Sequence, residues 1–196
     1  VTFTSVFPIL LDFLYSPNHA LDISTSTAPA LRFLSRVFGI WMLNKEVVEF
    51  IQDDMTLSNM IFYLEQAEHY GDERITKLAI LKCAKQVRGI DVESELLEYM
   101  KPDFFGQVVA SSEIDEAAAC HINVLIAKYF TLHDLSEELL AELMKLVPMN
   151  HINVQDALRL LQVMGSVKNK GVSIFADICK KCAEILIQHW KHIRET

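Results

Sequence analysis

Turn-forming residues are scarce in this chain: 6 Gly and 5 Pro serve 196 residues. They fall where the apolar periodicity breaks, as punctuation between long regular segments. Strand-like alternation is nearly absent, and its one candidate, His19-Ala20-Leu21-Asp22-Ile23, is too short to seed a sheet alone. Cysteine is rare too. Cys83, Cys120, Cys179 and Cys182 are too few and too irregularly spaced for a disulfide framework, which points to a reduced, intracellular protein, cytoplasmic or nuclear. Positive charge is in deficit: Lys+Arg 18 against Asp+Glu 26 gives a net charge of -8. That balance argues against a general nucleic-acid binder or a guest of anionic membranes, and mildly favours a basic partner. No apolar run approaches the roughly 18–20 residues that span a bilayer. The opening cluster (Val6, Phe7, Ile9, Leu10, Leu11) lacks a basic leader and is followed by Asp12, unlike a signal peptide.

What remains is helix. Hydrophobic residues make up 51% of the chain, enough for a core without staples, and they recur at three- and four-residue spacing almost throughout. The spacing predicts helices over Ser5–Tyr15, Ala28–Phe38, Asn44–Ile51, Leu57–Tyr70 and Glu73–Gln86. On the fourth, Met60, Ile61, Leu64 and Ala67 form the expected buried stripe; on the fifth, Ile75, Leu78, Ala79 and Cys83 do. Phe38-Gly39 and Tyr70-Gly71 each stand between two helices, where glycine reaches the left-handed C-cap conformation at little cost. Further on, "ESELLEYM" and "PDFFGQVVA" read as short helices, with Pro102 in the first turn of the second. Ser112/Asp115, Asp134/Glu137 and Asn153/Asp156 each suggest reciprocal capping ahead of a helix. A final helix covers about Ser173 to Ile193, after the loop "GSVKNKG".

Chemistry-bearing motifs are weak. "CKKCAEILIQHWKH" carries Cys179, Cys182, His189 and His192, residue types that zinc favours, but one helix cannot wrap four ligands around a point. Positions 179, 182, 186, 189 and 193 instead form one stripe (Cys, Cys, Leu, His, Ile), read as a buried face. No strand precedes the Cys-x2-Cys, against a thioredoxin-like site. His19, His69, His121, His133 and His151 are scattered, and no Gly-rich phosphate loop is present. Asp53-Asp54 and Glu137-Glu138 read as solvated helix ends, favourable near an N-terminal dipole. The expectation is a protein that is not an enzyme and carries no metal or cofactor.

The chain starts without methionine or a polar tail, in the manner of the second half of something. "FPILLDFLYS", then "LDI", then "ALRFLSRVFGIWMLNKEVVEFI" is similar to the C-terminal half of a BTB/POZ domain, with Phe7, Leu11, Phe13 and Tyr15 on its Phe-x-x-x-Leu-x-Phe-x-Tyr helix and Phe50-Ile51 on its closing helix. "MTLSNMIFYLEQAEHYGDERITKLAILKCAKQV" resembles the first hairpin of a BACK domain, with Met60 where the family's opening has cysteine. "KPDFFGQVVASSEIDEAAACHINVLIAKYFTLHD" resembles later BACK helices, so the likeness runs from Val1 to about Val163. It implies an all-α fold with one short remnant strand: residues 1–54 as the back half of a BTB domain, 55–165 as a BACK-like bundle, and 166–196 as a loop and helix completing it.

By the same resemblance, the protein would be a non-catalytic adaptor of a cullin-RING ubiquitin ligase. It would grip the cullin N-terminal domain, dimerise through a BTB front half that has no counterpart here, and present a substrate protein through another part. The matching cullin-facing positions are Met55, Asn59, Met60 and Tyr63, set against the plainer reading that they seal the BTB–BACK junction. A helical scaffold or oligomerisation module without a ubiquitin role is the alternative, since fold does not dictate function.

Overall fold

A computed structural model describes residues 3–15, 22–114, 118–166 and 173–195. Among these residues it is entirely helical, with no strand. The expected strand lies largely outside them: His19, Ala20 and Leu21 are not described, and Asp22 and Ile23 carry no regular structure.

The chain divides into two compact units, Val1–Lys82 and Cys83–Thr196. The division falls inside a helix, and residues 55–82 pack and hydrogen-bond with the helices before them. The first unit holds α1 (Phe3–Tyr15), α2 (Ala28–Val37), α3 (Trp41–Asp54), α4 (Met60–Tyr70) and α5 (Glu73–Lys85, continuing into the second unit), with short turns joining α2 through α5. α2 is the hub, packed on α1, α3 and α4. Its stripe of Ala28, Leu31, Arg32 and Ser35 is buried, two polar residues among apolar ones.

Both inter-helix glycines behave as their sequence context predicts. Gly39 (φ 67°) and Gly71 (φ 61°) adopt the left-handed conformation. Beside them, the Ile40 amide donates to the Ser35 carbonyl at 2.8 Å and the Asp72 amide to the Ala67 carbonyl at 2.8 Å, absorbing carbonyls that each helix end leaves open. A Cβ would meet nothing within 4 Å at either glycine, so backbone strain alone selects glycine there.

In the second unit, α6 (Glu95–Tyr99), α7 (Pro102–Val109), α8 (Ala119–Leu132), α9 (Glu137–Met144), α10 (Val154–Ser166) and α11 (Ser173–Glu195) surround a core of Phe105, Leu125, Tyr129 and Leu160. Tyr129 lies parallel to Phe105 (centroids 4.0 Å, 4°), stacks on His133 at 4.0 Å, and donates its hydroxyl to the Met100 carbonyl at 2.8 Å. The Asn153/Asp156 device ahead of α10 is realised in full: the Asp156 amide donates to Asn153 Oδ1 (2.8 Å) and the Asn153 amide to Asp156 Oδ2 (3.4 Å). Ahead of α9 the cap is Ser136, whose Oγ accepts from the Leu139 amide, in place of the expected Asp134. Asp115, expected to cap the helix now seen as α8, lies outside the described residues.

α11 completes the bundle with its first half only. Ile178 and Cys182 are buried and Cys179 Sγ lies 3.7 Å from Met164 Sδ, but His189 is exposed, as are Ile187 and Trp190. Among the described side chains, the expected buried stripe is therefore broken at His189.

Candidate interaction site

The residues expected to face a partner gather at the corner between α3 and α4, and most of them point inward. Met55, Met60 and Tyr63 are essentially inaccessible, at 1%, 0% and 0% exposure. α4 buries Met60, Tyr63, Leu64 and Ala67; the stripe has rotated by part of a turn from the expected one, so Ile61 is half-buried and Tyr63 is interior. Asp54 organises this corner. Its Oδ2 accepts from Tyr63 Oη at 2.6 Å, Thr25 Oγ1 at 2.9 Å and Asn59 Nδ2 at 3.2 Å. Asn59 also donates to the Asp54 carbonyl at 3.0 Å and accepts from the Thr56 amide at 2.8 Å, pinning the turn. Burial first, then the hydrogen bond and charge of Asp54, push the Tyr63 phenol far above its ordinary 10.0, with Thr25 opposing.

Asp53-Asp54 therefore stands at the C-terminal end of α3, opposite to the N-terminal setting that would favour it, and donors rather than a helix dipole stabilise Asp54. Asn59 is half-buried, while Met55, Met60 and Tyr63 are covered within the first unit. Their burial follows from the short turn 55–59, which folds α4 back so that both flanking apolar residues enter the core.

The exposed apolar surface lies elsewhere in the same unit. α1 buries Val6, Leu10 and Phe13 yet leaves Phe7, Leu11, Leu14 and Tyr15 open, so it is apolar on both sides, with Pro8 and Asp12 between. A helix apolar all round belongs in a core or against a partner. At the α2–α3 turn, Phe38 is 56% and Trp41 73% exposed, with Met42 beside them. Phe7 and Phe38 approach to 6.4 Å between centroids, which joins the two sets into one face. The aromatic content of α1 was legible in the sequence; its uncovered side was not.

The first unit also holds a buried polar network that periodicity did not reveal. Arg32 and Asp72, 3% and 4% exposed, form a two-bond pair, Nε–Oδ2 at 2.5 Å and Nη2–Oδ1 at 3.0 Å. Arg32 Nη1 donates to Asn44 Oδ1 (3.2 Å), Asn44 Nδ2 to Ser35 Oγ (3.1 Å), and Ser35 Oγ to the Arg32 carbonyl (2.7 Å). Asp72 Oδ1 also accepts from the Arg74 and Ile75 amides, capping α5. The local signals were Arg32 on the apolar stripe of α2 and Asp72 placed directly after a helix-ending glycine.

The remaining candidates hold ordinary structural places. His121 Nε2 lies 3.0 Å from the Ile90 carbonyl and His133 Nε2 3.1 Å from that of Leu97. Burial pushes the Cys83 thiol up to about 12, and burial with the neighbouring Cys179 and Asp156 pushes Cys182 up to about 11. His19 and the side chain of His192 lie outside the described residues. Among those described, no group of three or more His, Cys, Asp or Glu is placed to hold a metal ion, and no helix is long and apolar enough to cross a membrane.

No protein-family model matches the chain, and no curated protein matches it in sequence.

Proposed function

We propose that the chain is part of a non-catalytic protein-interaction adaptor, of the kind that its resemblance to BTB–BACK adaptors of cullin-RING ubiquitin ligases implies. The observation that carries this reading is the open apolar face of Phe7, Leu11, Leu14, Tyr15, Phe38, Trp41 and Met42. Those side chains leave on the order of 800 Å² uncovered, about what one partner contributes to a standard protein interface. Aromatic and Met side chains are the types that such interfaces favour. The cullin N-terminal domain would bind on this accessible face rather than on the buried Met55, Met60 and Tyr63, and a BTB front half would supply dimerisation. The adaptor would then act by effective concentration, holding a substrate protein near the ligase.

The same face favours a second reading, a helical scaffold or oligomerisation module. None of its seven side chains is charged, so two copies can meet there without strong like-charge repulsion despite the net charge of -8. Size exclusion with light scattering separates the readings, using the chain alone and mixed with a cullin N-terminal domain, wild type beside Trp41→Glu. A cullin complex lost in the variant supports the adaptor. A homodimer lost in the variant, with no cullin complex, supports the scaffold. A monomer indifferent to the cullin refutes both.

A further inference from the structure

A second feature of the first unit has a different chemistry. α3 and α5 flank an open groove of about 210 Å³, with apolar walls of Val48, Ile51, Leu78 and Leu81. Leu81 is 45% exposed there, and Leu78, expected in the core, is only half-buried because it lines the groove. Arg74 and Lys77 stand on the rim, and the buried Arg32, already neutralised by Asp72, reaches the lining from α2. No carboxylate lines the groove, and among the described residues neither Arg74 nor Lys77 has an ion-pair partner. This is a locally cationic site on a chain of net charge -8.

The spacing gives the groove a direction. Residues 74, 77, 78 and 81 share one face of α5, so two cations lie toward its N-terminal end and two leucines follow. The volume is below the roughly 300–1,000 Å³ typical of small-molecule and cofactor sites, and suits one large side chain. An anionic membrane would be repelled by the net charge, and nucleic acid would find two cations and no lining aromatic ring to stack on.

We propose that the α3–α5 groove is a docking site for a short acidic segment of a partner protein, with a large apolar side chain seated against Ile51, Leu78 and Leu81 and its flanking carboxylates held by Arg74 and Lys77. The anchor supplies affinity through burial in a preformed pocket, and the two cations supply direction and rate. The site stands apart from the adaptor reading: its occupant need not be a cullin, and failure of cullin binding leaves it intact.

The test is selection of a random peptide library displayed on phage against the 196-residue chain, followed by fluorescence polarisation of the selected consensus peptide. The expected consensus is one large apolar residue flanked by Asp or Glu. Its affinity should fall at least tenfold in Arg74→Glu/Lys77→Glu and, separately, in Leu81→Asp, while far-UV circular dichroism stays unchanged. Raising salt should weaken it, as expected for partly exposed ion pairs. The proposal is overturned if no peptide is enriched, if the consensus is basic or lacks acidic residues, or if both variants bind the consensus peptide as tightly as wild type. Because these side chains sit at the rim and wall, a variant that loses its helicity would also count against the placement.

Discussion

Replacing Asp72 by Ala should be among the most damaging single changes in the first unit. It would leave the Arg32 guanidinium, 3% exposed, without its countercharge and would uncap α5. Breaking a buried pair by removing one partner costs about 3–5 kcal/mol, of which the lost cap accounts for about 1 kcal/mol. With a urea dependence of about 1–2 kcal/mol/M for a unit this small, the unfolding midpoint should drop by roughly 2 M or more. Asp72→Asn keeps an oxygen for the Arg74 and Ile75 amides and loses only the charge, so it should be milder by about the cap contribution. Adding Arg32→Met to Asp72→Asn removes both charges and should recover most of the loss, because the desolvated pair is worth little compared with apolar packing. The acid limb offers an independent check. Burial would raise the Asp72 carboxyl, but the hydrogen bonds and charge of Arg32, with the Ile75 amide and Arg36, hold it below its ordinary 3.8. The pair's contribution is therefore fully present above about pH 4 and lost as pH falls through the depressed value, a slope that Asp72→Asn should flatten. Urea titration of wild type, these three variants and Arg32→Met alone, followed by circular dichroism across pH 2–7, measures both. A cost below about 1 kcal/mol for Asp72→Ala, or strict additivity in the double variant, would refute the reasoning.

Three other outcomes follow from the same structure. Tyr63→Phe removes the Asp54 carboxylate's shortest donor and should cost about 1.5–3 kcal/mol in urea unfolding, whereas Tyr63→Glu should unfold the unit rather than merely cancel binding. Asn153→Ala removes one side of the reciprocal cap on α10 and should cost about 1 kcal/mol, with no effect expected from Asp134→Ala. In thiol labelling at pH 8, exposed Cys120 should react first, while buried Cys83 and Cys182, their thiols pushed up to about 12 and about 11, should react only after denaturant is added. Rapid native labelling of Cys83 would show that its surroundings open readily.

Much of the secondary structure was legible because helix formation is local. The 3.6-residue period placed every major helix, though α3 begins three residues earlier than expected, at Trp41, and α4 three later, at Met60. The glycines and the Asn153/Asp156 box were readable because a cap is satisfied within a few residues. The candidate site was less so. Periodicity shows that a helix has an apolar arc, but a rotation of one position decided that Tyr63, not Ile61, enters the core. That rotation depends on where α3 ends and on three donors reaching Asp54 from Thr25, Asn59 and Tyr63.

What the sequence alone determined is the set of helices, their stops and the absence of a disulfide or phosphate-loop framework, all properties of spacing and residue type. Only the tertiary structure decided which apolar residues are covered. It put Met55, Met60 and Tyr63 inside, left Phe7, Phe38 and Trp41 outside, paired Arg32 with Asp72 across 40 positions of chain, and opened a cationic groove between α3 and α5. Those outcomes depend on contacts between segments distant in sequence, where burial and pairing are won against neighbours that no local pattern names.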